Sequence, residues 1–175
     1  DDNVYVRRAA ARILGEVDPS QLFDKIFDYL KDSDWWVRDT VITALSKMKD
    51  PGVFAVAVEL LNHPDPLLRR NALDILVTIG NPLAVNPVIL LLKDQDLTVR
   101  IQAIKALGRL GRAEIVPVLA ELLSITELAR SAAEALGNIG HPSAITPLID
   151  HLPDADKTAK IVIMNALERL KAAES

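Results

Sequence analysis

The chain contains no cysteine, so a disulfide framework, a thiolate metal site and a thiol nucleophile are all excluded. Aromatic residues make up only 4% of it, against 50% apolar residues in all. That poverty fits closely approaching helices packed with Ala, Val, Leu and Ile better than a sheet-rich sandwich. Positive charge is also in deficit, since 20 Lys and Arg face 24 Asp and Glu for a formal net charge of −4. Broad nucleic-acid binding draws its affinity from an exposed basic stripe, so no nucleic acid is expected as a partner. No stretch approaches the ~18 uninterrupted apolar residues of a membrane span. With no signal peptide recognised either, membrane insertion is not expected and the sequence reads as cytoplasmic.

Chemistry-bearing motifs are equally scarce. His63, His141 and His151 stand at helix ends or turns without a second histidine or paired carboxylate at ligand spacing, so no metal is expected. There is no nucleophile elbow and no glycine-rich phosphate loop; Gly108, Gly111, Gly137 and Gly140 read as helix stops. Neither catalytic residues nor a cofactor are expected.

What is present is a repeat. In the stretch Asp96 to Gly111, DLTVRIQAIKALGRLG, Asp96 is placed to cap a helix, and Val99, Ala103, Ala106, Leu107 and Leu110 form an apolar stripe down one face of it. The same template returns with its key leucine at Leu14, Leu45, Leu76, Leu107, Leu136 and Leu167, at spacings of 31, 31, 31, 29 and 31. Seven residues before these stand Arg7, Arg38, Arg69, Arg100, Ala129 and Lys160, and four before those stand Asn3, Asp34, Asp65, Asp96 and Asp156, the fifth copy having no clean equivalent. A fixed period of this length marks a solenoid, whose units cannot bury their own apolar faces and stack on one another.

Each unit reads as two helices, divided at about 1–17 (a half repeat), 18–49, 50–80, 81–111, 112–140 and 141–175, all in one domain. The first recognisable element, Asn3 to Val17, is already a second helix, which suggests a piece of a longer chain. The Asp18-Pro19 turn leads to a helix over Gln21 to Leu30. Pro87, Pro117 and Pro147 fall inside first helices and are expected to kink them. The unit 112–140 departs from the pattern: it is two residues short and carries Ala129 where the cation belongs.

The pattern D-x-x-V-R-x-x-A-x-x-A-L-G resembles the HEAT repeat, in the short variety named for the phycobilisome lyases, and the resemblance runs over essentially the whole chain. It implies an all-α, right-handed solenoid of about five and a half repeats of about 31 residues. The recurrent charges read as a structural Asp/Arg ladder of Arg7, Asp34, Arg38, Asp65, Arg69, Asp96 and Arg100, each guanidinium meeting a capping carboxylate of its own or the adjacent repeat. By the same resemblance, the free face of each second helix lines a groove where partners dock. Its binding candidates are Tyr5, Arg8, Arg12, Trp35, Trp36, Asp39, Leu67, Arg70, Leu97 and Ile101, rich in the Trp, Tyr and Arg of interface hot spots.

The function expected is a non-catalytic interaction or scaffold module, its partner another protein or another part of the parent chain, with end-to-end self-association through open terminal repeats as a further possibility. The alternative is a bilin lyase-type subunit, in which Arg8, Arg12 and Arg70 with Trp35 and Trp36 would serve a pigment and its propionates. A third reading is a nucleic-acid module of the HEAT-like DNA glycosylase type.

Overall fold

The computed structural model describes residues 3–13, 26, 28–48 and 50–173. All of its described elements are helical. The second helix expected from Asn3 is α1, Val4–Ile13. Leu14, the Asp18-Pro19 turn and most of the helix expected over Gln21 to Leu30 lie outside the described residues, although Ile26 and residues 28–30 are helical. Then follow α2 (Trp35–Lys47), α3 (Pro51–Leu60), α4 (Pro66–Ile79), α5 (Val85–Leu90), α6 (Leu97–Leu110), α7 (Val116–Glu121), α8 (Thr126–Ile139), α9 (Ile145–His151) and α10 (Lys157–Ala173). No described helix is long and apolar enough to cross a membrane. The chain divides into two compact units, Asp1–Pro87 and Val88–Ser175.

Within the first unit, α1 packs on α2 and α2 on α4, while α3 pairs with α4. Their shared core is the expected stripe: Ala11, Val37, Val41, Leu45, Leu68, Ala72 and Leu76 are all buried. Within the second unit, α6 packs on α8 and α8 on α10, with α7 and α9 backing α8 and α10. Here Val99, Ala103, Leu107, Leu128, Ala132, Leu136, Ala159 and Ile163 make the core. Each fully buried leucine contributes roughly 2 kcal/mol over an exposed one. No helix could supply that alone, since the atoms covering its stripe belong to the next repeat.

The caps follow the period. Asp34 Oδ1 accepts from the N–H groups of Trp36 and Val37 at 2.9 and 3.2 Å, Asp96 Oδ1 from those of Thr98 and Val99 at 2.7 and 3.2 Å, and Asp156 Oδ1 from those of Thr158 and Ala159 at 2.7 and 2.8 Å. Each satisfies donors that the first turn leaves unpaired. The fifth copy starts at Ile125 with no side-chain cap. At the other ends, Gly80, Gly111 and Gly140 stop their helices with φ of 68°, 67° and 70°, a conformation that favours glycine.

Two expectations need correction. Gly108 and Gly137, read as helix stops, lie inside α6 and α8, where neighbouring helices touch. A Cβ on Gly108 would stand 2.7 Å from Ala135 Cα, and one on Gly137 2.7 Å from Ala166 Cβ and 2.9 Å from its Cα. The second correction concerns the prolines. Pro87, Pro117 and Pro147 do not kink continuous helices, because a 3₁₀ turn over Pro82–Ala84, Ala113–Ile115 or Pro142–Ala144 comes first and the α segment begins only at Val85, Val116 or Ile145. Each proline thus falls in a first turn, where its missing N–H costs no intrahelical bond.

Candidate functional site

The loop that enters each second helix is held by the recurrent arginine. Arg38 Nη1 donates to the carbonyls of Asp32 and Ser33, Arg69 Nη1 to those of His63 and Pro64 at 2.7 and 2.9 Å, and Arg100 Nη1 to those of Asp94 and Gln95 at 2.7 and 3.4 Å. The acceptors stand six and five residues before the arginine every time. Where a guanidinium–carboxylate ladder was expected, these guanidinium groups clamp backbone.

A further recurrent acceptor was missed. Two residues before the cap, Asp32 Oδ1, His63 Nδ1 and Asp94 Oδ1 accept from the N–H of Asp34, Asp65 and Asp96 at 2.8, 3.0 and 2.8 Å. Its signal was legible as the 31-residue spacing of Asp32, His63 and Asp94.

Ion pairs run between α1 and the entry to α2. Arg7 Nε meets Asp32 Oδ2 at 2.7 Å, and Arg8 Nη2 meets Asp34 Oδ2 at 2.7 Å. Arg8 also lies over the Trp36 ring, its guanidinium carbon 5.5 Å from the ring centroid. The bond from Arg8 lowers the Asp34 carboxyl below the usual carboxylate range against partial desolvation, with the Val37 and Trp36 N–H groups adding to it. For Asp32, burial is the largest influence and pushes upward, but Arg7 and the Asp34 N–H together outweigh it and the net shift is downward.

The binding candidates are distributed unevenly. Tyr5, Arg8 and Arg12 stand on α1, Trp35, Trp36 and Asp39 on α2, and Leu67 and Arg70 on α4, all in the first unit. Tyr5 and Trp35 are 75% and 65% exposed, whereas Trp36, Leu67 and Arg70 are half-buried, and Arg70 Nε is buried without a hydrogen bond among the described residues. The structure brings Arg8, Asp34 and Trp36 into direct contact. Leu97 and Ile101 are half-buried on α6, in the second unit.

Between α1 and α2 lies a depression of about 580 Å³, lined by Ala9, Ala11, Arg12, Ile13, Thr40, Thr43, Ala44 and Lys47. Small side chains leave the room, since Ala9, Ala11, Thr40, Thr43 and Ala44 put little between the two backbones. Two exposed cations, Arg12 and Lys47, border it, and neither has a side-chain partner among the described residues. Lys47 was missed, although it follows Thr43 by four residues and therefore shares its face. No group of three or more His, Cys, Asp or Glu able to hold a metal occurs among the described residues.

Comparison with known proteins identifies relatives. A phycocyanobilin lyase subunit alpha of Picosynechococcus sp. is 35% identical over 101 residues, covering 48% of this chain and 38% of that one. The chain spans about two fifths of the length of the curated relatives it matches. Among solved structures, an engineered protein superposes with a TM-score of 0.57 at 23% identity over 99% of this chain and 93% of that one. A complex of CpcE and CpcF of phycocyanin lyase from Nostoc sp. superposes with a TM-score of 0.51 at 18% identity over 97% and 91%. The last two likenesses concern the all-α solenoid fold alone. The expectation that the chain has no part in an enzyme is corrected by the phycocyanobilin lyase relative, which is named as a lyase subunit. HEAT repeats are matched over residues 1–61, 54–127 and 88–171, nearly end to end, and the chain belongs to the HEAT-repeat family.

Proposed function

We propose that this chain is part of a bilin lyase-type subunit and that the depression between α1 and α2 holds an open-chain tetrapyrrole. The observation that carries the reading is the composition of that depression, an alanine- and threonine-lined hollow of about 580 Å³ with Arg12 and Lys47 at its border. Small-molecule sites commonly have ~300–1,000 Å³ of mostly apolar space with a few convergent polar groups. A bilin offers a flat conjugated body and two propionates, which match the hollow and its two cations. Charge-assisted bonds from a guanidinium or ammonium to a carboxylate are the strong kind, so these cations would set the pigment's orientation.

The chain has no cysteine, so it cannot itself carry a thioether to the pigment. Its part is to hold and orient a non-covalently bound bilin for an acceptor supplied by another protein. Arg8, neutralised by Asp34 and stacked on Trp36, shapes the neighbouring surface. Tyr5 and Trp35, exposed beside Asp39, together with Leu67 and Arg70, present the protein-facing surface, and Leu97 with Ile101 offers a second apolar contact on α6.

The test is an absorbance titration of phycocyanobilin with the purified chain. A saturable shift of the long-wavelength band is expected. Arg12→Ala and Lys47→Ala should each weaken it by about tenfold or more, the worth of one charge-assisted bond of about 1.5–3 kcal/mol. An unshifted spectrum, or variants that both bind the pigment as tightly as the unaltered chain does, would refute the reading.

A further inference from the structure

The fifth repeat lacks the clamp found in its predecessors. Ala129 stands where Arg38, Arg69 and Arg100 stand, and the residues six and five before it are Leu123 and Ser124. With Thr126 and Ala129 they line a cavity of about 210 Å³, whose opposite wall comes from the next repeat and includes His151, Asp154 and Asp156. It is the place a guanidinium would fill.

The junction between α1 and α2 shows what carboxylates in this setting do. There Asp32 and Asp34, two residues before the helix cap and at the cap itself, receive Arg7 and Arg8. Asp154 and Asp156 hold the same two places before α10, and residues 129 and 130 of α8 correspond to residues 7 and 8 of α1. Arg130 is the counterpart of Arg8. The Asp156 carboxyl lies below the usual range, chiefly through the Thr158 hydroxyl and the Ala159 N–H, with the Arg130 charge contributing. The counterpart of Arg7 is Ala129, and Asp154 makes no side-chain hydrogen bond among the described residues. The bonds that Asp156 accepts from Thr158 and Ala159 all fall on Oδ1.

We propose that this cavity is a socket for a guanidinium supplied in trans, the side chain of an arginine on a partner polypeptide. Asp154 and the Oδ2 edge of Asp156 provide acceptors, and the methyl groups of Ala129, Ala155 and Ala159 flank the space in which the planar group would lie. A metal ion suits it poorly, since no three ligating side chains converge among the described residues. An ammonium is a strongly hydrated point charge that cannot use two acceptors in one plane, whereas the guanidinium fork can. The same chain already uses guanidinium groups at the equivalent place in three repeats.

The experiment is an NMR titration of the full chain with N-acetyl-arginine amide, following the methyl signals of Ala129, Ala155 and Ala159. The lysine and citrulline analogues serve as probes of charge and of shape. A saturable shift with arginine is expected, with the lysine analogue at least about fivefold weaker and citrulline silent. Asp154→Asn, a change at an exposed residue, should abolish the arginine shift, and Ala129→Arg should fill the socket from within and do the same. Equal responses to arginine and citrulline would overturn the proposal. So would an Asp154→Asn chain that binds the arginine probe as the unaltered chain does.

Discussion

Replacing Gly108 with alanine measures how closely the second helices of the C-terminal unit approach. At an open position in a helix interior, Gly→Ala gains about 1 kcal/mol from reduced backbone freedom in the unfolded chain and better propensity. Here the new Cβ would stand 2.7 Å from Ala135 Cα, 2.8 Å from its Cβ and 3.3 Å from its carbonyl oxygen. Two of these three atoms are backbone, so relief requires α8 to move bodily away from α6 and loosen the contacts of Leu107 and Leu136. Overpacking a well-filled interior costs about 1–3 kcal/mol, and an unyielding obstacle places this case at the upper end. The net expectation is a loss of about 1–2 kcal/mol. Urea unfolding followed by far-UV circular dichroism would read it as a lower midpoint at an unchanged slope. Gly137→Ala should behave alike against Ala166, and a double-mutant cycle with Ala166→Gly should return a favourable coupling of about 1 kcal/mol. A Gly108→Ala chain stabilised by about 1 kcal/mol would refute the close-approach argument.

Three further outcomes follow from the loops. Arg69 is 5% exposed and clamps the carbonyls of His63 and Pro64; Arg69→Met should cost about 2–3 kcal/mol in urea unfolding, in the range of hydrogen bonds to charged groups. Asp96→Ala removes the cap of α6 and should cost about 1 kcal/mol, with faster amide exchange at Thr98 and Val99 as the local signature. Asp32 and Asp34 titrate below their ordinary value of 3.8, so their stabilisation is fully present above that value and is lost as pH falls through the lowered folded values. The unfolding midpoint should therefore decline on acidification below about pH 4, and Asp34→Asn should flatten that decline.

Features governed by short-range rules were readable from residues alone. The 31-residue period, the capping Asp at the start of α2, α4, α6 and α10 and the glycines that end α4, α6 and α8 depend on local backbone geometry. The core stripe was readable for the same reason, since 3.6-residue periodicity decides which side faces the neighbour. Gly108 and Gly137 were not, because a glycine near a helix end looks alike whether it terminates the helix or admits another. Only the distance to Ala135 or Ala166 separates the two roles. The clamp was half legible: the spacing exposes a recurrent cation, but a guanidinium takes carboxylate or carbonyl acceptors alike, and the loop conformation chooses. The hollow between α1 and α2 depends on how an alanine-rich face of α1 meets the Thr40, Thr43 and Ala44 face of α2. Its cations, Arg12 and Lys47, come from different repeats, so no motif links them.

Hydrogen exchange of the chain with and without saturating phycocyanobilin tests the central claim most directly, because it asks where a pigment sits as well as whether it binds. Slowed exchange confined to α1 and α2, around Ala9 to Ile13 and Thr40 to Lys47, is the predicted result. Exchange in α1 and α2 that stays the same with and without pigment would contradict it.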